Sequence, residues 1–167
     1  MDLRKKKIPA VLVFLIKEGK VLLGRKSKTS KVGAGLWNGW GGGINREETS
    51  RQAAKRELFE ESGLSVRPRD LKYAGNVVFH NQKADGGKFD VKVYIFTTQK
   101  WSGKLKLNSE MTEPTFWPIS RLPFGEMMPS DRFWFLPVLS GKRIRGEVWH
   151  GLNQKILARP VSIKVVK

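Results

Sequence analysis

Apolar residues fall along this chain in short runs broken by glycines and charges, and the spacing within each run predicts an element. Residues 8–17, IPAVLVFLIK, are almost continuously apolar, and residues 20–25 carry a second run, VLL. The Glu-Gly step between them is a turn signal, so the pair predicts a buried β-hairpin. Residues 27–35 are polar and glycine-containing, which predicts a loop. Over 49–62 the pattern predicts a helix. Thr49 can cap it, Gln52 stands three residues on as in a capping box, and Gly63 follows where a left-handed glycine ends a helix. Residues 71–81 and 89–99 are β-rich and flank the turn Ala-Asp-Gly-Gly-Lys. Residues 101–107 alternate apolar and polar, predicting a half-buried strand, and 113–118 predict another. A second helix is expected over 130–139, with Ser130 or Asp131 as its cap. Residues 143–150 and 155–166 predict a closing hairpin. The sum is an α/β (α+β) domain with a mixed sheet and about two helices.

The length of 167 residues suits a single domain, 1–167, with residues 1–7 as a basic, flexible arm. The apolar run after RKKK is too short to span a bilayer and no small-residue cleavage site follows it, so a strand is expected there. No cysteine is present and only two histidines, His80 and His150, which argues against thiolate and zinc sites; both histidines are expected to be peripheral. A cytoplasmic monomer without a membrane partner is expected. Charge changes this picture. Thirty-two Lys and Arg against fifteen Asp and Glu give +17, which implies an anionic partner: nucleotide, nucleic acid or membrane surface. The excess is spread over patches at 4–7, 25–31, 142–145 and the C-terminal end rather than gathered in one stripe.

One stretch runs against that charge. WGGGINREETSRQAAKRELFEESGL, from Trp40 to Leu64, places Glu48, Glu57, Glu60 and Glu61 just after a glycine-rich turn. Glu57, Glu60 and Glu61 have the i, i+3, i+4 spacing that shares one helix face. Three carboxylates so placed repel one another, and a hard divalent cation would relieve the repulsion; Mg²⁺ takes oxygen ligands and keeps room for waters and phosphates. The glycines at 41–43 permit close backbone approach, so a carbonyl there is a further ligand candidate. Arg56 can pair with Glu60 or reach back to Glu48. The alternative is a solvated acidic helix face.

The segment resembles the signature of the Nudix hydrolases. Gly42, Glu48, Arg56, Glu57, Leu58, Glu60, Glu61, Gly63 and Leu64 match each of its fixed positions. The resemblance implies a Nudix fold, a mixed sheet sandwiched between helices with a loop–helix–loop catalytic motif, and hydrolysis of a nucleoside diphosphate linked to another group with Mg²⁺ or Mn²⁺. It implies Glu57, Glu60, Glu61 and a carbonyl near Gly42 as metal ligands. GAGLWNGWGG, NSEM, PISRLPFGEMMPSDRFWF and the basic C-terminal hairpin further resemble the oxidised purine nucleoside triphosphatases of the MutT-homologue type, over about residues 11–164. That likeness implies Asn38 and Asp131 as purine contacts, Phe79 as an aromatic wall, Lys26 as a basic pocket residue, and Glu110 as metal ligand or base. Glu61 and Glu110 are both left as candidates for the general base.

The chain departs from the pattern at the base pocket. Ser130 replaces the first of two acidic residues, Met128 stands in place of a stacking tryptophan, and Val32 and Asn81 replace phenylalanines. These changes bear on the preferred base rather than on the hydrolysis. For Asn38, followed by glycine, a tight turn is the competing role; for Glu110 it is a surface charge, and for Phe79 a core position. Trp37, Trp117 and Trp134 read as core. The expected activity is a Mg²⁺-dependent nucleoside triphosphate pyrophosphohydrolase acting on an oxidised purine such as 8-oxo-dGTP, in sanitation of the nucleotide pool. The rivals are a Nudix hydrolase of another nucleotide, such as an RNA 5′ end or dinucleoside polyphosphate, and a basic nucleic-acid-binding module without turnover. Against the latter, no catalytic carboxylate is missing and the linear sequence holds no compact array of aromatics among basic residues.

Overall fold

The computed structural model describes residues 6–106 and 108–167. Strand β1 (Lys7–Lys17) is nearly all apolar because it is needed on both faces. Val11, Val13 and Leu15 enter one core, and Leu12, Phe14 and Ile16 the other. A turn with Glu18 and Gly19 at positive φ leads into β2 (Lys20–Lys26), which pairs back from Lys17↔Lys20 to Leu15↔Leu22. Beyond that point β1 is taken up by β4 (Trp40–Gly43), from Val13↔Trp40 to Ala10↔Gly43, while β2 continues with the short β3 (Trp37–Asn38). One edge of β1 is thus shared by two strands, and the sheet forks beside Phe14.

The other edge of β1 runs parallel to β6 (Lys88–Thr98), which pairs antiparallel with β5 (Lys72–Gln82). Outward from β5 come β8 (Arg143–Trp149), parallel, and β9 (Ser162–Val166), antiparallel. β7 (Met111–Pro118) pairs along β2. The order β3-β2-β1-β6-β5-β8-β9 makes the sheet mixed. Helix α1 (Ser50–Ser62) lays Ala53, Ala54 and Leu58 on one face. On the other face α2 (Phe135–Leu139) buries Phe135, Val138 and Leu139 against Phe14, Val77 and Ile144. No helix among the described residues is long and apolar enough to cross a membrane.

The capping box forms as expected: Gln52 N–H donates to Thr49 Oγ1 at 3.1 Å and Thr49 N–H to Gln52 Oε1 at 2.8 Å. Several expectations need correction. Residues 101–106 form no named strand, only an isolated Ser65↔Ser102 bridge, because Gly103 turns the chain and the Lys106 N–H caps the Ser62 carbonyl at the end of α1. Leu107, the end of that expected strand, and residues 1–5 of the expected arm lie outside the described residues; Lys7 already belongs to β1. The helix expected over 130–139 is a 3-10 turn, Asp131–Phe133, and then the five-residue α2, because Trp134 (φ −138°) interrupts the helical backbone. Neither Ser130 nor Asp131 caps it. The glycine-rich WGGG is a strand, β4, and residues 155–161 precede the strand β9 rather than joining it.

Candidate active site

The signature folds as strand, loop and helix, with Arg56 as its hub. Its guanidinium grips Glu48 at both carboxylate oxygens, each at 2.8 Å, and donates to Glu57 at 2.8 Å, to Glu60 at 3.2 Å and to the Gly43 carbonyl at 2.9 Å. Both partners foreseen for Arg56 are therefore engaged at once. These bonds hold Glu48 down at a pKa of about 2. β4 lies so close to β1 that glycine is required at Gly41, and Gly42 faces the Glu57 side chain. A Cβ at Gly41 would stand 1.9 Å from the Val11 carbonyl oxygen, and one at Gly42 2.6 Å from the Glu57 carboxylate.

Glu61 is buried beneath this strand and accepts the Gly41 N–H at 2.7 Å. Burial pushes its pKa up to about 8, with the Glu57 and Glu110 carboxylates adding to the rise. Glu57 is raised as well, first by burial, against the opposing pull of Arg56. Glu110 is exposed on a loop tied to the end of α1 by the Asn108 side chain, which donates to the Glu60 carbonyl at 3.0 Å and accepts the Glu110 N–H at 2.9 Å. Lys26 feels Glu61, Glu110 and Asp131 together, although burial outweighs them and lowers its pKa.

The donors Glu57, Glu60, Glu61 and Glu110 are all oxygen, and the mutual strain of Glu57, Glu61 and Glu110 is what a hard divalent cation relieves. Among the described residues, no three carboxylates or imidazoles converge on one point at ligand distance. The reason is visible: Glu57 and Glu60 are turned to Arg56, and Glu61 to the Gly41 amide. The residues fit the cation in chemistry but are not gathered around it.

At the fork of the sheet opens a cavity of about 240 Å³. Asn38, Lys26, Phe79, Met128 and Asp131 all line it, beside Val32, Asn81 and the β4 glycines, and Glu61 reaches it from the signature side. Asn38 ends β3 at the cavity, and its Oδ1 accepts the Gly39 N–H at 2.8 Å. Asp131 is buried with Oδ2 lacking a hydrogen-bond partner, and burial raises its pKa well above the usual range. The Trp134 indole lies beside it but is not aligned to donate. Trp37 and Trp134 are core residues as expected, and Trp117 packs against the core; Trp134 also lines the cavity.

Two expectations fail here. Ser130 does not line the cavity: it is buried behind the wall, where its Oγ meets His150 Nε2 at 3.1 Å. His150 is not peripheral. It is 1% exposed, lines the cavity, lies parallel to the Phe79 ring and bonds through Nδ1 to Asn81 Oδ1 at 2.8 Å. The signal was present in the alternation of β8, where Ile144 and Val148 point inward and His150 follows two residues on.

A profile of the Nudix domain matches residues 6–136. The chain is 39% identical over 135 residues to the oxidized purine nucleoside triphosphate hydrolase of Danio rerio, covering 81% of each chain. To the protein of the same description from Mus musculus it is 36% identical, again over 81% of each. The solved structure of a MutT protein from Bacillus halodurans shares the fold with a TM-score of 0.73 at 16% identity, over 95% of this chain and 97% of that one. With the profile spanning most of the chain and its signature residues assembled around Arg56, the chain belongs to the Nudix hydrolase family.

Proposed function

We propose that this chain hydrolyses oxidised purine nucleoside triphosphates, 8-oxo-dGTP foremost, to the monophosphate and pyrophosphate. The observation that carries the reading is the adjacency of two parts: an open cavity with Asn38 and Asp131 in its wall, and the signature carboxylate Glu61 at its edge. The named activity of the Danio rerio and Mus musculus relatives supports the same substrate class.

Asn38 and Asp131 offer hydrogen bonds to the purine edge, with Phe79 and Met128 as apolar walls. Lys26 stands between cavity and carboxylates, suited to the bridging part of the nucleotide. Glu57, Glu60, Glu61, the Gly42 carbonyl and Glu110 would hold Mg²⁺, or Mn²⁺ in its place. Bound there, the cation supplies charge neutralisation for the phosphates and a lowered pKa for water. The proton of the attacking water passes to a carboxylate oxygen of Glu61 or Glu110, and Arg56 keeps Glu57 and Glu48 oriented throughout. Cavity and motif come from one chain, so the reading is of a monomer.

Glu57→Gln and Glu61→Gln test this assignment. Each should lower kcat by about 100-fold or more while the protein stays folded, because transition-state charge stabilisation is removed. Without Mg²⁺, Glu61→Gln should raise thermal stability, since it removes a buried carboxylate and keeps an acceptor for the Gly41 N–H. Turnover near wild type in both variants would refute the metal assignment.

A further inference from the structure

The wall of the cavity away from the carboxylates carries a directional chain of hydrogen bonds. Ser130, His150 and Asn81 are all buried, at 0%, 1% and 2% exposure, and nothing in the hydrolysis uses them. Their order follows from the Asn81 oxygen, which faces the imidazole. A neutral imidazole has one donor and one acceptor. Its Nδ1 faces the Asn81 carbonyl oxygen at 2.8 Å, so Nδ1 donates. Nε2 must then accept, and its partner at 3.1 Å is the Ser130 hydroxyl, which donates. Burial holds His150 at a pKa of about 4, so the neutral ring persists through the physiological range. The Phe79 ring lies parallel to the imidazole, at 13° with centroids 5.9 Å apart, and limits its tilt.

The end of this chain is the Asn81 amide. Its oxygen is taken by His150, and its Nδ2 hydrogens have no protein acceptor among the described residues, while the side chain lines the cavity. Across the same cavity, Asp131 Oδ2 is buried and unpartnered. A buried polar group without a partner is costly, so Asp131 Oδ2 points to a ligand in this cavity, and the Asn81 amide lining the same cavity is placed to donate to that ligand.

Resting on the functional reading above, we infer that Asn81 is a specificity-determining residue whose amide donates to the base, with His150 and Ser130 as positioning residues that lock its orientation. The ligand class is a nucleobase with a carbonyl oxygen on the edge that meets this wall. A base with an amino group there sets donor against donor and leaves the amide unpaired. Turning the amide over would require the imidazole to switch tautomer and the Ser130 hydroxyl to turn from donor to acceptor, so the three groups reverse together or not at all.

The test compares purine triphosphates that differ at one exocyclic position, oxo against amino, with and without an 8-oxo group. Wild type should prefer the oxo member, and Asn81→Leu and His150→Phe should each reduce that preference by about ten-fold or more. The change should appear as a ratio between substrates, since loss of packing alone scales all of them equally. Asn81→Leu/His150→Phe removes both partners together and covers the case in which a single variant does not fold. In the unmodified protein, the Asn81 side-chain amide resonances should shift when monophosphate product is added. Overturning results are a wild-type preference for the amino member, an unchanged ratio in the variants, or amide resonances that do not move. Asn38→Ala separates the two readings. If it alters base ranking and the Asn81 variants do not, the inference fails and the functional reading stands. If wild type hydrolyses no purine triphosphate, the functional reading fails and the amide shift alone decides the inference.

Discussion

His150 titrates far from the ordinary range, near pH 4, because burial disfavours its charged form. An unfolded chain would bind that proton near pH 6.5, so between the two values only the unfolded state is stabilised by protonation. The contribution of His150 is therefore complete above pH 6.5 and is lost as the pH falls toward 4, by roughly 3 kcal/mol in all. Asp131 and Glu61 are raised by burial and act with the opposite sign over part of this range, so the difference between proteins is the useful quantity. The unfolding free energy of wild type minus that of His150→Phe should rise by about that amount from pH 4 to 7. A flat difference would mean that the imidazole titrates normally. Among single residues, the signature was legible because its positions follow one another along a single strand, loop and helix, so their spacing survives in the linear sequence. His150 and Ser130 were not, because their roles come from contact across 20 residues, and Asn81 joins them from 69 residues away. No local pattern records a meeting of that kind.

The strand–loop–helix element is held by two glycines with different duties. Gly63 ends α1 at φ +76°, and a Cβ there would stand 2.7 Å from the Lys104 carbonyl oxygen. Gly63→Ala should cost at least about 1–2 kcal/mol in urea unfolding from the left-handed backbone alone. Gly42 is different, since its added Cβ would meet only the end of the Glu57 side chain. Gly42→Ala should leave stability nearly unchanged and lower kcat about ten-fold or more by displacing that carboxylate. Equal losses of stability in the two variants would contradict the distinction. At this scale the capping box, the β1–β2 hairpin and the β5–β6 pair could be read directly, since each is decided by neighbours in sequence. The segment 101–106 could not: it alternates as a strand does, but the end of α1 captures its backbone before the sheet can. The aromatic stretch before α2 reads as a helix, yet Asp131 and Trp134 are drawn into the cavity wall and the helix is cut short.

Across the whole molecule, the fork in the sheet is what makes a catalytic protein of these elements. It places the signature at the edge of a cavity whose far wall is built by β5, β6 and the residue after β8. The net charge of +17 favours an anionic substrate. Folding also gathers cations and aromatics that are scattered in sequence: Arg143 over Tyr73, Lys92 over Tyr94 and Arg159 over Trp149. Each of these rings already carries its cation, so the array does not offer the bare stacking faces of a single-strand binder. The most direct test of hydrolysis of oxidised purine triphosphates is kcat/KM for 8-oxo-dGTP against dGTP at one Mg²⁺ concentration, with pyrophosphate as the measured product. The account predicts a value for 8-oxo-dGTP at least about ten-fold higher, with one pyrophosphate released per monophosphate formed. A value equal to or below that for dGTP, or release of orthophosphate in place of pyrophosphate, would contradict it.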